Sequence, residues 1–319
     1  MTLRPIDPIK PLTSAPKPHE LKNLKDRLIV QRKYDGARAT CMITDKGPQM
    51  WSRNVSVSGN RISYTRKLPH IVEELSAWSL PVGTILDGEL VSFRGGELET
   101  FNDIHSATNG HDERCVRFQQ ENGHMTWMVF DVVYFRGEPV YNLPLQQRLA
   151  LLDMLFEINP NMLWVEKVET SLLDQTIEEL RKEAEEREFE GYVIKNLDST
   201  YAYKGSYGKA QRPRETWWKV KPQRFADVII TGFEYGNNGI SDAVGSLTCE
   251  QYVDGEIVRV CNVGSALTSQ NRLEYLDLTF PRVGIVQYAE RNESGKLLQP
   301  VWRGFREDKR PDECIAEDE

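Results

Sequence analysis

The sequence predicts an α+β chain in two parts, an antiparallel-sheet unit followed by a small β-barrel. Over roughly the first 220 residues, apolar segments of strand length bounded by glycine, proline and Asx turns are interspersed with helix-period segments. After Pro222 helical periodicity almost disappears and short alternating strands follow one another. A length of 319 residues with 39% hydrophobic content is ample for a core in each part.

Residues 1–24 are rich in proline and lysine and are expected to lie extended over the surface. LIVQRK, ARATCMIT and PQMWS, the last two joined by a DKG turn, read as an antiparallel meander with Lys33 at the end of its first strand. A helix is expected over His70–Trp78, then buried strands at TILDGELVSF and MTWMVFDVVYF. PLQQRLALLDMLFEI and SLLDQTIEELRKEAEER have helical periodicity; in the second, acids between Asp174 and Glu190 interleave with Leu172, Leu173, Ile177 and Leu180, the pattern of a helix with one solvated face. GYVIKN and TWWKVKP are again strands. Beyond them DVIITGFEYG, VGSLTCEQYVDGEIVRVCNVG and VGIVQYAER alternate, with a DG hairpin signal and one short helix near Gln270–Leu278. That pattern suits a five-stranded barrel of the OB type. The expected divisions are 1–24, 25–222, 223–311 and an acidic tail at 312–319.

The net charge of −8 weighs against a polyanionic partner until its distribution is considered. Five acids lie in the last nine residues, leaving residues 1–310 at −3. Residues 203–224 hold Lys204, Lys209, Arg212, Arg214, Lys219, Lys221 and Arg224 against the single acid Glu215, with aromatics between them. The five cysteines are far apart and form no CxxC, which argues against a disulfide framework or a zinc site. No apolar run is long enough to cross a bilayer and the N-terminus lacks a signal-peptide core, so a cytoplasmic protein without membrane attachment is expected.

KYDG (33–36) taken alone reads as a strand end with a solvated lysine. WSRN (51–54), DGEL (87–90), VFDVVY (129–134), EGYVIK (190–195), WWKVK (217–221) and GFREDK (304–309) follow it in order. The seven motifs together resemble the covalent nucleotidyltransferases, the superfamily of ATP-dependent DNA ligases, RNA ligases and mRNA capping enzymes. Their wording is most similar to minimal ATP-dependent DNA ligases of phage, viral and bacterial type. The resemblance covers essentially the whole chain after residue 25 and implies a nucleotidyltransferase (adenylation) domain followed by an OB-fold domain.

The residue types suit that chemistry. A lysine attacks the α-phosphorus of ATP only as the neutral amine, so cations and partial burial around Lys33 are expected; Arg38, Arg53, Lys219 and Lys221 are the nearest in motif terms. Asp35 can orient or deprotonate the amine, and Gly36 permits close backbone approach. Lys219 and Lys221 alternate with Val220, so both are expected on one face of a strand. Glu190 suits a magnesium ion bridged to phosphate oxygens, with Glu89 sharing it. The resemblance further implies that Glu89 bonds the ribose, Phe130 stacks on adenine, Gln31 reads the adenine edge, and Tyr34 and Lys195 line the nucleotide site. It implies that Arg306, Asp308 and Lys309 belong to a barrel that closes over ATP to orient the pyrophosphate, then swings away. Trp217 and Trp218 are expected to pack rather than bind.

The implied activity is sealing of nicks in duplex DNA with ATP and magnesium, by a monomer; an RNA ligase or a capping guanylyltransferase is the alternative. Fewer than thirty residues precede Lys33's strand, too few for the DNA-encircling domain of larger ligases. The nicotinamide-binding domain, cysteine zinc fingers and helix-hairpin-helix repeats of NAD-dependent ligases are not visible. ATP is therefore the expected cofactor.

Overall fold

In the computed structural model the strand that leads to Lys33 spans Leu28–Arg32 and ends one residue before the lysine. It does not begin a meander. It pairs antiparallel with Ser171–Leu172 on one side and Tyr192–Asn196 on the other, and Tyr192–Asn196 pairs in turn with Trp217–Val220. The next strand, Ala37–Thr44, belongs to a second sheet, between Gly47–Val55 and Ile85–Arg94. The four residues KYDG carry the chain from one sheet to the other. Period-2 alternation looks the same on either side of such a crossing, which is why sequence alone joined the strands.

The structure describes residues 15–56, 59–94, 97–98, 101–201, 217–236, 241–292 and 294–316. The chain divides into two units, Met1–Val220 and Lys221–Glu319. In the first, the second sheet runs from Arg61–Ser63 through Gly47–Val55, Ala37–Thr44, Ile85–Arg94 and Met125–Phe135 to Glu138–Pro139. Val165–Lys167 adds to Met125–Phe135 in parallel. The two sheets face each other across Met42, Val91, Met128, Phe130 and Val133 from one and Trp217 from the other. The opposite face of the second sheet (Ala39, Cys41, Leu86, Leu90, Trp127, Val129) packs against Ile71 and Leu75 of the Pro69–Ala77 helix and Leu152 and Leu155 of the Leu145–Ile158 helix. The outer face of the first sheet (Leu28, Val30, Tyr192, Ile194, Trp218, Val220) is covered by Ile177, Leu180 and Ala184 of the Ile177–Glu186 helix. The central strands, such as Leu28–Arg32 and Met125–Phe135, bury both faces and read as near-continuous apolar runs, whereas the short edge strands Ser171–Leu172 and Glu138–Pro139 are exposed.

Three expectations need correction. Pro18–Leu24, expected to be extended, is a short helix whose Leu21 and Leu24 pack on the first sheet's outer cluster. SLLDQTIEELRKEAEER is helical only from Ile177. Thr176 caps that helix by a capping box with Glu179, and Ser171–Leu172 is an edge strand. The helices Phe101–Thr108 and Asp112–Asn122 were not expected at all. Four cations of the basic stripe, Lys204, Lys209, Arg212 and Arg214, lie outside the described residues, as does part of the acidic tail.

The second unit is a five-stranded antiparallel sheet in the order Glu256–Val263, Val244–Val253, Arg224–Tyr235, Arg282–Tyr288, Val301–Arg306. Numbered along the chain this is 3-2-1-4-5, with the Ser269–Glu274 helix between the third and fourth strands, the OB topology. The expected DG hairpin is present: Asp254 and Gly255 have φ of 50° and 84°, the paired positive values that a two-residue turn requires.

Candidate active site

Strand register assembles the site. In the first sheet Gln31 lies opposite Val193 and Val193 opposite Lys219; Lys195 lies opposite Trp217. All five project toward the second sheet, because residues two apart share a face. From that sheet come Arg38, opposite Glu89, and Phe130. These side chains, with Lys33, Tyr34, Arg53, Arg32 and Val168, line one cavity of about 100 Å³. Nine of the residues expected from sequence therefore converge on a single space.

Lys33 sits at its rim. Its backbone N–H donates to the Gly191 carbonyl at 2.9 Å, extending the strand pairing by one residue. Its ammonium pairs with the Glu190 carboxylate, both side chains being less than one fifth exposed. Gly36 admits close approach, but of protein rather than ligand: a Cβ there would lie 2.3 Å from the Leu90 carbonyl oxygen and 2.7 Å from Glu89 Cγ. Its smallness lets the crossing segment pass against the DGEL strand.

Arg38, expected as a cation beside Lys33, is committed elsewhere. Its guanidinium makes a bidentate pair with buried Asp87 at 2.7 and 2.6 Å, and Asp87 also accepts from the Tyr201 hydroxyl at 2.6 Å. The guanidinium then lies 4.4 Å from the centre of the Phe130 ring. The Lys195 ammonium lies 4.4 Å from the same ring and 4.0 Å from the Trp217 ring. Burial pushes Lys195 down to about 7, against an upward pull from Asp131. Burial pushes Glu89 up to about 7, against the downward pull of Arg38, Lys33 and Arg53. Gln31 is buried and donates to Thr170 Oγ1 at 2.8 Å.

The remaining expected residues stand apart from the cavity lining. Asp35 is half-buried in the crossing segment. The strand ends at Val220, so Lys221 does not share a strand face with Lys219; it is exposed and opens the second unit. Among the described residues no group of three or more histidine, cysteine or acidic side chains gathers to hold a metal. Glu190 bonds Lys33, and Glu89 acts electrostatically on it. Two hard carboxylates beside one lysine fit magnesium only if phosphate oxygens and water complete its shell.

In the second unit the REDK cations gather on one carboxylate. Asp227 accepts from Arg306 at 2.8 Å and from Lys309 at 2.7 Å, and Arg306 also pairs with Asp308 at 2.9 Å. The two cations hold the Asp227 carboxyl below the usual range despite its burial. Sequence reasoning missed Asp227, Asp87 and Tyr201, and assigned Trp217 to packing alone. The available signal for the two aspartates was an acid set in a strand of apolar residues, which needs a cationic partner.

Comparison with known proteins fits this geometry. The DNA ligase of Thermococcus onnurineus is 28% identical over 98% of this chain and 57% of its own length. The multifunctional non-homologous end joining protein LigD of Mycolicibacterium smegmatis is 27% identical over 73% of this chain and 31% of that protein. The chain thus spans little more than half the length of its first relative. A solved Lig E DNA ligase structure is 18% identical and superposes with a TM-score of 0.60, covering 94% of this chain and 100% of that one, a likeness of fold. The family model of the ATP dependent DNA ligase domain matches residues 12–221, from before the first strand through Lys219, and the chain therefore belongs to the ATP-dependent DNA ligase family.

Proposed function

We propose that this chain seals nicks in duplex DNA through a lysyl-AMP intermediate on Lys33. The observation that carries the reading is the convergence of Lys33 with nucleotide-suited side chains on one cavity: an aromatic pair, Phe130 and Trp217, and cations from three segments, Arg53, Lys195 and Lys219. The neutral Lys33 amine attacks the α-phosphorus of ATP, an N–P bond forms and pyrophosphate leaves. AMP then passes to the 5′-phosphate of the nick, and the 3′-hydroxyl displaces AMP to close the phosphodiester. Positioning and charge neutralisation supply most of such catalysis.

Gln31, Tyr34, Glu89 and Phe130 are proposed to hold the nucleoside, and Lys195 and Lys219 to neutralise the phosphates. Asp35 is the proposed helper of the amine, and Lys221 a further phosphate contact. Glu190, which pairs with the Lys33 side chain, is proposed to release it as the nucleotide enters. A magnesium ion bound by Glu190, Glu89 and phosphate oxygens would neutralise triphosphate charge. Arg306 and Lys309 are proposed to orient the pyrophosphate in the first transfer. The proposed working form is an intracellular monomer; among the described residues no helix is long and apolar enough to cross a membrane.

Incubation with α-labelled ATP and magnesium should leave acid-stable label on the protein, and Lys33→Ala should carry none. Label persisting in that variant would remove Lys33 from the reaction. Sealing of a nicked DNA duplex, with a nicked RNA duplex left open and GTP failing to substitute for ATP, completes the test; the reverse preference would assign the chain to RNA.

A further inference from the structure

In the second unit Cys249 and Cys261 stand directly opposite each other on the Val244–Val253 and Glu256–Val263 strands. Residues opposed in an antiparallel ladder project to one face, with Cβ atoms about 4.5–5.5 Å apart. A disulfide needs about 3.5–4.5 Å, so a small closing movement suffices. The ladder is irregular immediately beyond the pair, between Cys249 and Glu250, where a strand can yield locally.

The two thiols differ in surroundings. Cys249 is fully buried in the barrel core, whereas Cys261 is half-buried on the outermost strand of the sheet. The hydrogen bond with Cys249, and after it the charges of Arg291, Lys296 and Arg259, favour the Cys261 thiolate against its partial burial. Arg291 and Lys296 are held by neutral groups: Arg291 donates to the Gly295 carbonyl and the Gln251 side chain, and Lys296 to the Arg259 carbonyl. Their charge is not spent on a carboxylate. The contact between the sulfurs favours the proton on Cys249. A thiolate at the edge and a protonated thiol behind it are the two members that peroxide chemistry requires.

We propose that Cys261 and Cys249 form an oxidation site for hydroperoxides, with Cys261 the attacking sulfur and Cys249 the resolving one. The Cys261 thiolate attacks the distal oxygen, the O–O bond breaks, and the alcohol or water leaves with a proton from solvent. The Cys249 thiol then displaces water from the Cys261 sulfenic acid. Two thiols and one hydroperoxide become one disulfide, one alcohol and one water. The product staples the edge strand to its neighbour beside the irregularity. The other three cysteines are internal controls: Cys41, Cys115 and Cys314 are buried, and burial pushes each of those thiols up.

The test treats the reduced 319-residue chain with hydrogen peroxide, quenches with N-ethylmaleimide and maps peptides by mass. Two of five alkylatable thiols should disappear, with loss of two hydrogens, a Cys249–Cys261 linked peptide and full recovery on reduction. Reaction at this pair should exceed that at the other cysteines by at least about tenfold. Cys249→Ser should leave Cys261 as a sulfenic acid trapped by dimedone, and Cys261→Ser should leave Cys249 alkylatable after peroxide. A wild-type thiol count unchanged by peroxide, losses spread evenly over all five, or a link to any other cysteine would overturn the proposal without recourse to a variant.

Discussion

Lys195 is 2% exposed, yet it carries its ammonium between two aromatic rings rather than on a carboxylate. Burial lowers it from 10.5 to about 7. A drop of that size corresponds to ~5 kcal/mol of penalty on the charged form, and the two ring faces return ~2 kcal/mol of it. Between pH 7 and 10.5 the unfolded chain binds more protons at this site than the folded one, so stability rises with pH across that window and the cost is greatest below it. Lys195→Met should therefore stabilise the nucleotide-free protein by ~3 kcal/mol at pH 6, with the gain vanishing near pH 10.5, as read from urea midpoints; a pH-independent gain would mean simple repacking. In the proposed reaction a desolvated ammonium facing the cavity would act strongly on phosphate. Asp87 presents the reverse case. It is completely buried and accepts three hydrogen bonds from Arg38 and Tyr201. Asp87→Ala should cost about 3–5 kcal/mol because it leaves the guanidinium buried without a counter-charge. Asp87→Leu combined with Arg38→Met removes both charges and should cost much less, a comparison that a double-mutant cycle measures directly.

At the scale of elements, most strands were legible because buried strands read as apolar runs and glycine punctuates them, as at DGEL and the DG hairpin. Pairing was legible across the tight DKG and DG hairpins but not between strands distant in sequence. The pairing of Leu28–Arg32 with Tyr192–Asn196 joins segments far apart in sequence, and nothing local records such a partnership. For the same reason the KYDG crossing reads in sequence as a turn within one sheet. Motif residues from three paired strands converge because register and alternation place them on one face: Gln31, Val193, Lys195 and Lys219 all reach the cavity. Trp217 and Trp218 divide by the same rule, the first to the cavity and the second to the helix-covered face. The partners that hold the motif residues became visible only in space: Asp87 stands within DGEL, but nothing in the spacing links it to Arg38 or to Tyr201, which belongs to no motif. The crossing itself gives an element-scale prediction. Gly36→Ala would drive a methyl group to 2.3 Å from the Leu90 carbonyl, so the segment must shift and take Lys33 with it. Lysyl-AMP formation should fall about 100-fold, the loss expected of a small misplacement, while far-ultraviolet circular dichroism stays unchanged; wild-type labelling would show that the segment yields without moving Lys33.

At the scale of the whole molecule, Lys33 and the REDK cations lie in different units, and the second unit holds those cations on its own carboxylates. Arg306 and Lys309 both rest on Asp227, which holds them side by side; Asp308 first and Asp227 second raise the proton affinity of Arg306, and Asp227 raises that of Lys309. In the proposed reaction Asp227 is a positioning residue, acting only through the cations it holds. This separates two possibilities by kinetics. If the REDK cations serve the departure of pyrophosphate, they matter when Lys33 takes AMP from ATP and not when an already adenylated nick is closed. Asp227→Ala should then slow lysyl-AMP formation by about 10- to 100-fold, the scale on which loss of one oriented charged group is felt. Closure of a pre-adenylated nick should change by less than about threefold, and Arg306→Ala should show the same division more strongly. Asp227→Glu keeps the charge one methylene further out and should recover part of the first step, which a loss of fold could not do. Equal losses in both steps for Asp227→Ala and Arg306→Ala would show instead that these cations serve DNA binding or sealing, and the pyrophosphate assignment would have to be given up.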